Sequence, residues 1–127
     1  AAALANATRA GVAADIEIRR GALSGITPPA GRGLLVTNPP YGARVRAGGE
    51  VRNLYAQLGN VARAKCPGWT IAFLSADRAM EAQLKLPLEE ALRFRNGGIP
   101  VRLMRATLPS RPGNGGETVV APVHRRP

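Results

Sequence analysis

The sequence predicts a layered α/β domain in which parallel strands alternate with helices and the chain closes on an antiparallel hairpin. Three observations carry this prediction. Gly33-Leu34-Leu35-Val36-Thr37 is an unbroken apolar run, the pattern of a strand buried in a parallel sheet. Residues 50–65 place Val51, Leu54, Tyr55, Leu58, Val61 and Ala62 at helical spacing. Asn96-Gly97-Gly98 joins two segments of recurring apolar residues, 88–95 and 99–108, as a tight hairpin turn does.

In chain order, Ala1 to Ala10 is rich in Ala and Leu and is followed by Gly11, so it reads as the tail of a helix with its stop signal. Ile16 and Ile18 alternate with Asp15, Glu17 and Arg19, which predicts a short strand ending at Gly21. Ala22 to Arg32 holds prolines and glycines and reads as loop. The run from Gly33 to Thr37 then enters Asn38-Pro39-Pro40-Tyr41-Gly42, a rigid junction. In the helix that follows, Arg52 and Arg63 fall opposite the apolar face. Pro67-Gly68 introduces a second buried strand from Trp69 to Ser75, and Asp77 is placed to cap a short helix through Leu84. After the hairpin, residues 109–127 form a tail rich in Pro, Gly and Arg, with one short strand-like run at Thr118 to Ala121.

The 127 residues suffice for one small domain with an aliphatic core but are few for a full doubly wound cofactor-binding sheet. Eighteen basic residues against eight acidic ones leave a formal net charge of +10, which favours a polyanionic partner, and nucleic acid is the expected one. Sixteen of the eighteen are Arg, an imbalance that either GC-rich coding or phosphate recognition produces. No run approaches the ~18 apolar residues of a membrane span, and the start lacks a signal-peptide pattern, so a cytoplasmic protein is expected. Cys66 is the only cysteine and His124 the only histidine, which excludes an internal disulfide, a cysteine zinc site and a His-based triad.

The chemistry lies in the junction. An exocyclic amine on a nucleobase is a poor nucleophile because its lone pair is delocalised into the ring. An enzyme must therefore hold the amine hydrogens with fixed acceptors and aim the lone pair at the electrophile. Asn38 offers its side-chain oxygen and Pro39 its carbonyl, while Pro39 and Pro40 fix φ so that these acceptors stay in place. Tyr41 supplies an aromatic face for an extruded base, and Gly42 lets the chain turn away. No Asp, Glu or His lies between Ile18 and Gly49, which suits a reaction whose amine loses its proton after attack. Arg44 and Arg46 follow as candidate phosphate contacts, a role that a solvated loop would mimic.

Thr37-Asn38-Pro39-Pro40-Tyr41-Gly42 resembles the amino-methyltransferase motif at the end of the fourth strand of Rossmann-like methyltransferases. Leu54-Tyr55, Leu58-Gly59, Gly68-Trp69 and Arg95-Asn96-Gly97 are similar to further landmarks of the bacterial large-subunit rRNA guanine-N2 methyltransferases and their THUMP-containing tRNA relatives. Ala5-Asn6-Ala7 with Ala10-Gly11-Val12 resembles the helix end and turn before the third strand in that family. The resemblance implies a partial Rossmann-like methyltransferase sheet over residues 1–108, with helices on both faces and sheet order 3-2-1-4-5-7-6, the first two strands being absent.

It also implies S-adenosylmethionine as methyl donor, guanine N2 in rRNA or tRNA as acceptor, and Asn38, Pro39, Pro40 and Tyr41 as the catalytic segment, with Asn38 also contacting the cofactor. Adenine-N6 methylation in RNA or DNA and a noncatalytic basic RNA-binding remnant are the alternatives. The family's Gly-rich loop and its ribose-binding acidic residue belong before Ala1, and an Asp that contacts the cofactor's adenine is expected where this sequence has Ala22. The 127 residues alone are therefore expected to be inactive and not to bind the cofactor measurably. With the inner strands absent, the apolar edge from Leu34 to Val36 is expected to be covered, either by the first twenty residues or by a second copy of the chain in a homodimer or swapped assembly. Trp69, Tyr55 and Cys66 read as packing residues, and His124, Arg125 and Arg126 as a basic end.

Overall fold

The computed structural model describes residues 1–41 and 49–110 of the chain. Their elements are α1 (Ala2–Arg9), β1 (Leu34–Thr37), α2 (Gly49–Lys65), β2 (Thr70–Ser75), α3 (Arg78–Gln83), β3 (Glu89–Asn96) and β4 (Ile99–Thr107), with single 3-10 turns at Ala13–Asp15 and Leu23–Gly25. The four strands form one sheet in the order β1-β2-β4-β3. β1 runs parallel to β2, with Leu34 opposite Thr70 and Thr37 opposite Phe73, across the α2 crossover that a parallel pair requires. β2 and β3 each lie antiparallel to β4, so the sheet is mixed. This order is the 4-5-7-6 end of the sheet that the resemblance implies.

Local sequence explains each element. Gly11 takes φ +74° after α1, where a left-handed residue ends a helix. Asp77 Oδ1 accepts from the backbone N–H groups of Ala79 (2.8 Å) and Met80 (3.4 Å) and so caps α3 as expected. Gly97 (φ +58°) and Gly98 (φ +81°) supply the two positive φ angles of a two-residue hairpin turn, and Asn96 pairs with Ile99 across it.

One layer of core joins the sheet to α2 and α3. Tyr55, Leu58 and Ala62 of α2 meet Ile71 and Phe73 of β2, Met104 and Ala106 of β4, and Leu84 after α3, all buried. Burying side chains of this size contributes roughly 1.5–3 kcal/mol each. Gly59 lets the two helices touch: a Cβ there would lie 2.3 Å from the carbonyl oxygen of Leu84 and 2.8 Å from its Cα. Below the core, buried Ser75 donates from Oγ to Glu81 Oε2 (2.7 Å), and Arg102 forms an ion pair with the same carboxylate.

Two expectations change. Residues 16–18 form no strand: the chain is irregular after the turn at Ala13–Asp15, and Ile16 and Ile18 stay 48% and 42% exposed. Alternation makes a strand only where a neighbour accepts its backbone hydrogen bonds, and among the described residues no strand lies beside this segment. Nor do the first twenty residues cover the β1 edge, since β1 pairs only with β2 among the described residues and Leu34 and Val36 remain 59% and 63% exposed. The N-terminal segment is tied elsewhere. Lys65 Nζ at the end of α2 donates to the carbonyls of Ser24 (2.5 Å) and Ile26 (3.0 Å), and Trp69 Nε1 donates to that of Gly31 (2.7 Å). α2 and α3 take one face of the sheet, and the opposite face leaves Leu34, Val36, Leu92 and Phe94 exposed, so the helical cover seen here is one-sided at these positions. The strand-like run at Thr118 to Ala121 lies outside the described residues.

Candidate active site

β1 ends at Thr37 and delivers the chain directly into Asn38-Pro39-Pro40-Tyr41 at the carboxyl end of the sheet. This is where open α/β sheets place their ligands. Asn38 is exposed, Pro39 is buried and Tyr41 is half-buried, so the segment is anchored by a proline ring while its amide side chain faces out. The four residues line a cleft of ≈ 350 Å³ whose other wall is Asn96, Gly97 and Ile99 of the hairpin.

Two side chains brace the segment. Tyr55, only 1% exposed on the inner face of α2, donates its hydroxyl to the Pro40 carbonyl (2.8 Å). Burial, reinforced by the negative charges of Asp77 and Glu81, pushes the Tyr55 phenol up to about 12, so the donor proton stays in place at neutral pH. From the other wall, Asn96 Nδ2 donates to the Tyr41 hydroxyl (2.5 Å), which ties the hairpin tip to the motif. The cleft thus holds amide, carbonyl and phenol groups, with neither a carboxylate nor an imidazole among the described residues of its lining.

With this geometry in view, comparison with known proteins is decisive. The family described as RMKL-like, methyltransferase domain matches residues 1–105. The chain belongs to this family. Among curated relatives, the ribosomal RNA large subunit methyltransferase K/L of Shewanella loihica is 38% identical over 94 residues, which are 74% of this chain and 13% of the relative. That of Shewanella baltica is 39% identical over the same length and shares. A solved structure of a possible methylase from Clostridium difficile 630 superposes with a TM-score of 0.73 at 27% identity, covering 88% of this chain and 29% of its own. SMU.472, a putative methyltransferase complexed with SAH, gives 0.74 at 25% identity, with 86% and 28% covered. A predicted N6-adenine-specific DNA methylase from Listeria monocytogenes gives 0.62 at 25% identity, with 82% and 26% covered. The chain therefore spans about an eighth of the curated relatives' length and under a third of the solved chains.

In the RMKL-like domain the residues singled out from sequence do not all meet. Asn38, Pro39, Pro40 and Tyr41 share the cleft, whereas Ala22 lines a separate one with Arg19, Arg20, Cys66 and Trp69. Gly42, Arg44 and Arg46 lie outside the described residues. Cys66 is fully buried and burial pushes its thiol up, consistent with an inert packing residue. Trp69 packs against the core cluster and over Gly33, where a Cβ would meet its ring at 2.6 Å.

Sequence reasoning missed Asn96 and the hydroxyl of Tyr55 as parts of the site. The resemblance pointed at both positions, yet no local pattern connects Tyr55 to Pro40, 15 residues away, or Asn96 to Tyr41, 55 residues away. A third omission is a neighbouring trough between α3 and the hairpin, lined by Arg78, Arg93 and Arg102. Arg93 is paired to Glu90, and Arg102 to Glu81.

Proposed function

We propose that this RMKL-like domain forms the amine-accepting side of an S-adenosylmethionine-dependent methyltransferase that methylates an exocyclic amino group of an RNA base, N2 of guanine before N6 of adenine. The observation that carries the reading is the Asn38–Tyr41 cleft: an amide oxygen, a backbone carbonyl and an aromatic face at the end of a strand, in a segment whose Pro40 carbonyl is held by Tyr55 and whose Tyr41 hydroxyl is held by Asn96. Asn38 Oδ1 and the Pro39 carbonyl accept the two amine hydrogens, which turns the nitrogen lone pair out of the base plane and toward the donor. Tyr41 stacks on the extruded base. The proton leaves to water after attack, since the described residues of the lining hold no base to take it.

The residues of the cleft fit the acceptor amine. Among the described residues they do not provide the acidic contacts that hold an adenosyl group, and the separate cleft at Ala22 offers only Glu17 there, already paired to Arg19. When bound, S-adenosylmethionine supplies a methyl group activated by a sulfonium. RNA is the polyanion that the +10 charge serves, and a cytoplasmic site of action accords with a ribosomal substrate. No helix among the described residues is long and apolar enough to cross a membrane. The names of the rRNA relatives support an RNA substrate, the sequence resemblance to guanine-N2 methyltransferases favours guanine, and the Listeria neighbour supports adenine as the second reading. Mass analysis of nucleosides from cells lacking the gene decides between them. Loss of N2-methylguanosine is the expected result, and loss of N6-methyladenosine alone would move the assignment to adenine.

A further inference from the structure

We propose that Asn96, at the tip of the β3–β4 hairpin, is the residue that makes this cleft select guanine over a base lacking an N1 proton. The inference rests on the methyltransferase reading above and extends it to specificity.

Asn96 lies on the wall facing Asn38 and Pro39, in the same ≈ 350 Å³ cleft. Its carboxamide is oriented by one bond, from Nδ2 to the Tyr41 hydroxyl (2.5 Å). That bond uses the donor end of the amide and leaves Oδ1, for which no protein donor is found among the described residues, as an acceptor at the cleft wall. The Tyr41 hydroxyl, having accepted from Asn96, keeps its own proton free to donate. The turn that carries Asn96 is rigid for a backbone reason, since Gly97 and Gly98 hold positive φ and Asn96 pairs with Ile99. The acceptor is thus preorganised.

The two candidate amines differ in what flanks them. Guanine N2 has the N1–H donor on one side and the N3 acceptor on the other. Adenine N6 stands between two acceptors, N1 and N7. With the amine held by Asn38 and Pro39, an acceptor on the opposite wall meets a donor in guanine and a lone pair in adenine. An acceptor that the bound base closes off from water and that then faces a lone pair costs on the order of tenfold to a hundredfold in rate.

The test uses the intact methyltransferase and two RNA substrates that differ at the target, one with guanine and one with 2-aminopurine. The latter keeps the 2-amino group but has a bare N1. Methyl transfer to each is followed by mass analysis of the nucleosides. The wild type should prefer guanine by on the order of tenfold to a hundredfold in kcat/KM. Asn96→Ala should bring the ratio toward one by slowing the guanine substrate. Asn96→Asp, which keeps an acceptor at the same place, should preserve the preference. A merely structural role for Asn96 predicts that both variants slow both substrates equally, and an unchanged ratio in Asn96→Ala overturns the proposal. Absence of any methyl group on guanine N2 in the wild type would instead remove the parent reading, and the proposal with it.

Discussion

Residues 34–108 and residues 1–32 carry aliphatic side chains in comparable supply, yet only the first stretch turns them into a core. Among the described residues before Gly33 only Ala7 is buried, while Leu4, Val12, Ile16 and Ile18 are exposed. From Leu34 onward the sheet and two helices bury Tyr55, Leu58, Ile71, Phe73, Leu84, Val101, Met104 and Leu108. The difference lies in partners rather than composition. β2 has a strand on each side and a helical layer over one face, whereas the segment around Ile16 and Ile18 has neither among the described residues. The N-terminal segment is held instead at its downstream end, where half-buried Leu23 packs against the core and Lys65 and Trp69 grip carbonyls of the loop at Ser24, Ile26 and Gly31.

The largest expected effect lies in the well-packed stretch. Gly59→Ala would ordinarily favour a helix by about 1 kcal/mol. Here the new methyl meets the backbone of Leu84 at 2.3 Å, and backbone cannot rotate away. A net loss of about 2 kcal/mol or more is expected in urea unfolding. A stabilised Gly59→Ala variant would show that α2 and α3 do not touch as described.

Next in size is the Tyr55 brace. Tyr55→Phe removes one hydrogen bond to the Pro40 carbonyl, an expected loss of about 1 kcal/mol, together with slower methyl transfer as the Asn38 segment loosens. The same phenol gives a pH signature. Its folded value of about 12 lies above the ordinary value near ~10, so the unfolded chain releases this proton first. Its contribution to stability is therefore complete below pH ~10 and is lost as pH rises through about 12. Alkaline unfolding curves of the wild type should fall more steeply over that window than those of Tyr55→Phe, and parallel curves would contradict the brace.

The smallest effect belongs to the N-terminal stretch. Lys65→Met should leave global unfolding within about 0.5 kcal/mol, because the bonds it removes lie at an exposed loop. Amide exchange around residues 22–28 should nevertheless rise, reporting local release. A variant that unfolds globally would mean that residues 1–32 are part of the same cooperative unit as the sheet.

What was legible in the sequence follows the same division. β1, α2, the Asp77 cap and the Gly97-Gly98 turn rest on patterns within a few residues, and each forms as expected. The Asn38–Tyr41 segment was legible for the same reason, a strand and its exit read in one stretch. The alternation at Ile16 and Ile18 misled because a period of two reports a face without reporting a neighbour. The partners of the site were hidden for a related reason. Tyr55 and Asn96 reach Pro40 and Tyr41 only once the sheet has brought α2 and the hairpin tip to β1, and no local pattern records that meeting.

The central claim, that Asn38 acts on the reacting amine, is tested most directly by Asn38→Ala in the intact methyltransferase, with turnover and RNA affinity measured separately. The account predicts a fall in kcat of at least about a hundredfold with RNA affinity nearly unchanged, because the lost acceptor matters most as charge develops on the amine. Unchanged turnover, or a loss confined to RNA affinity, would contradict it.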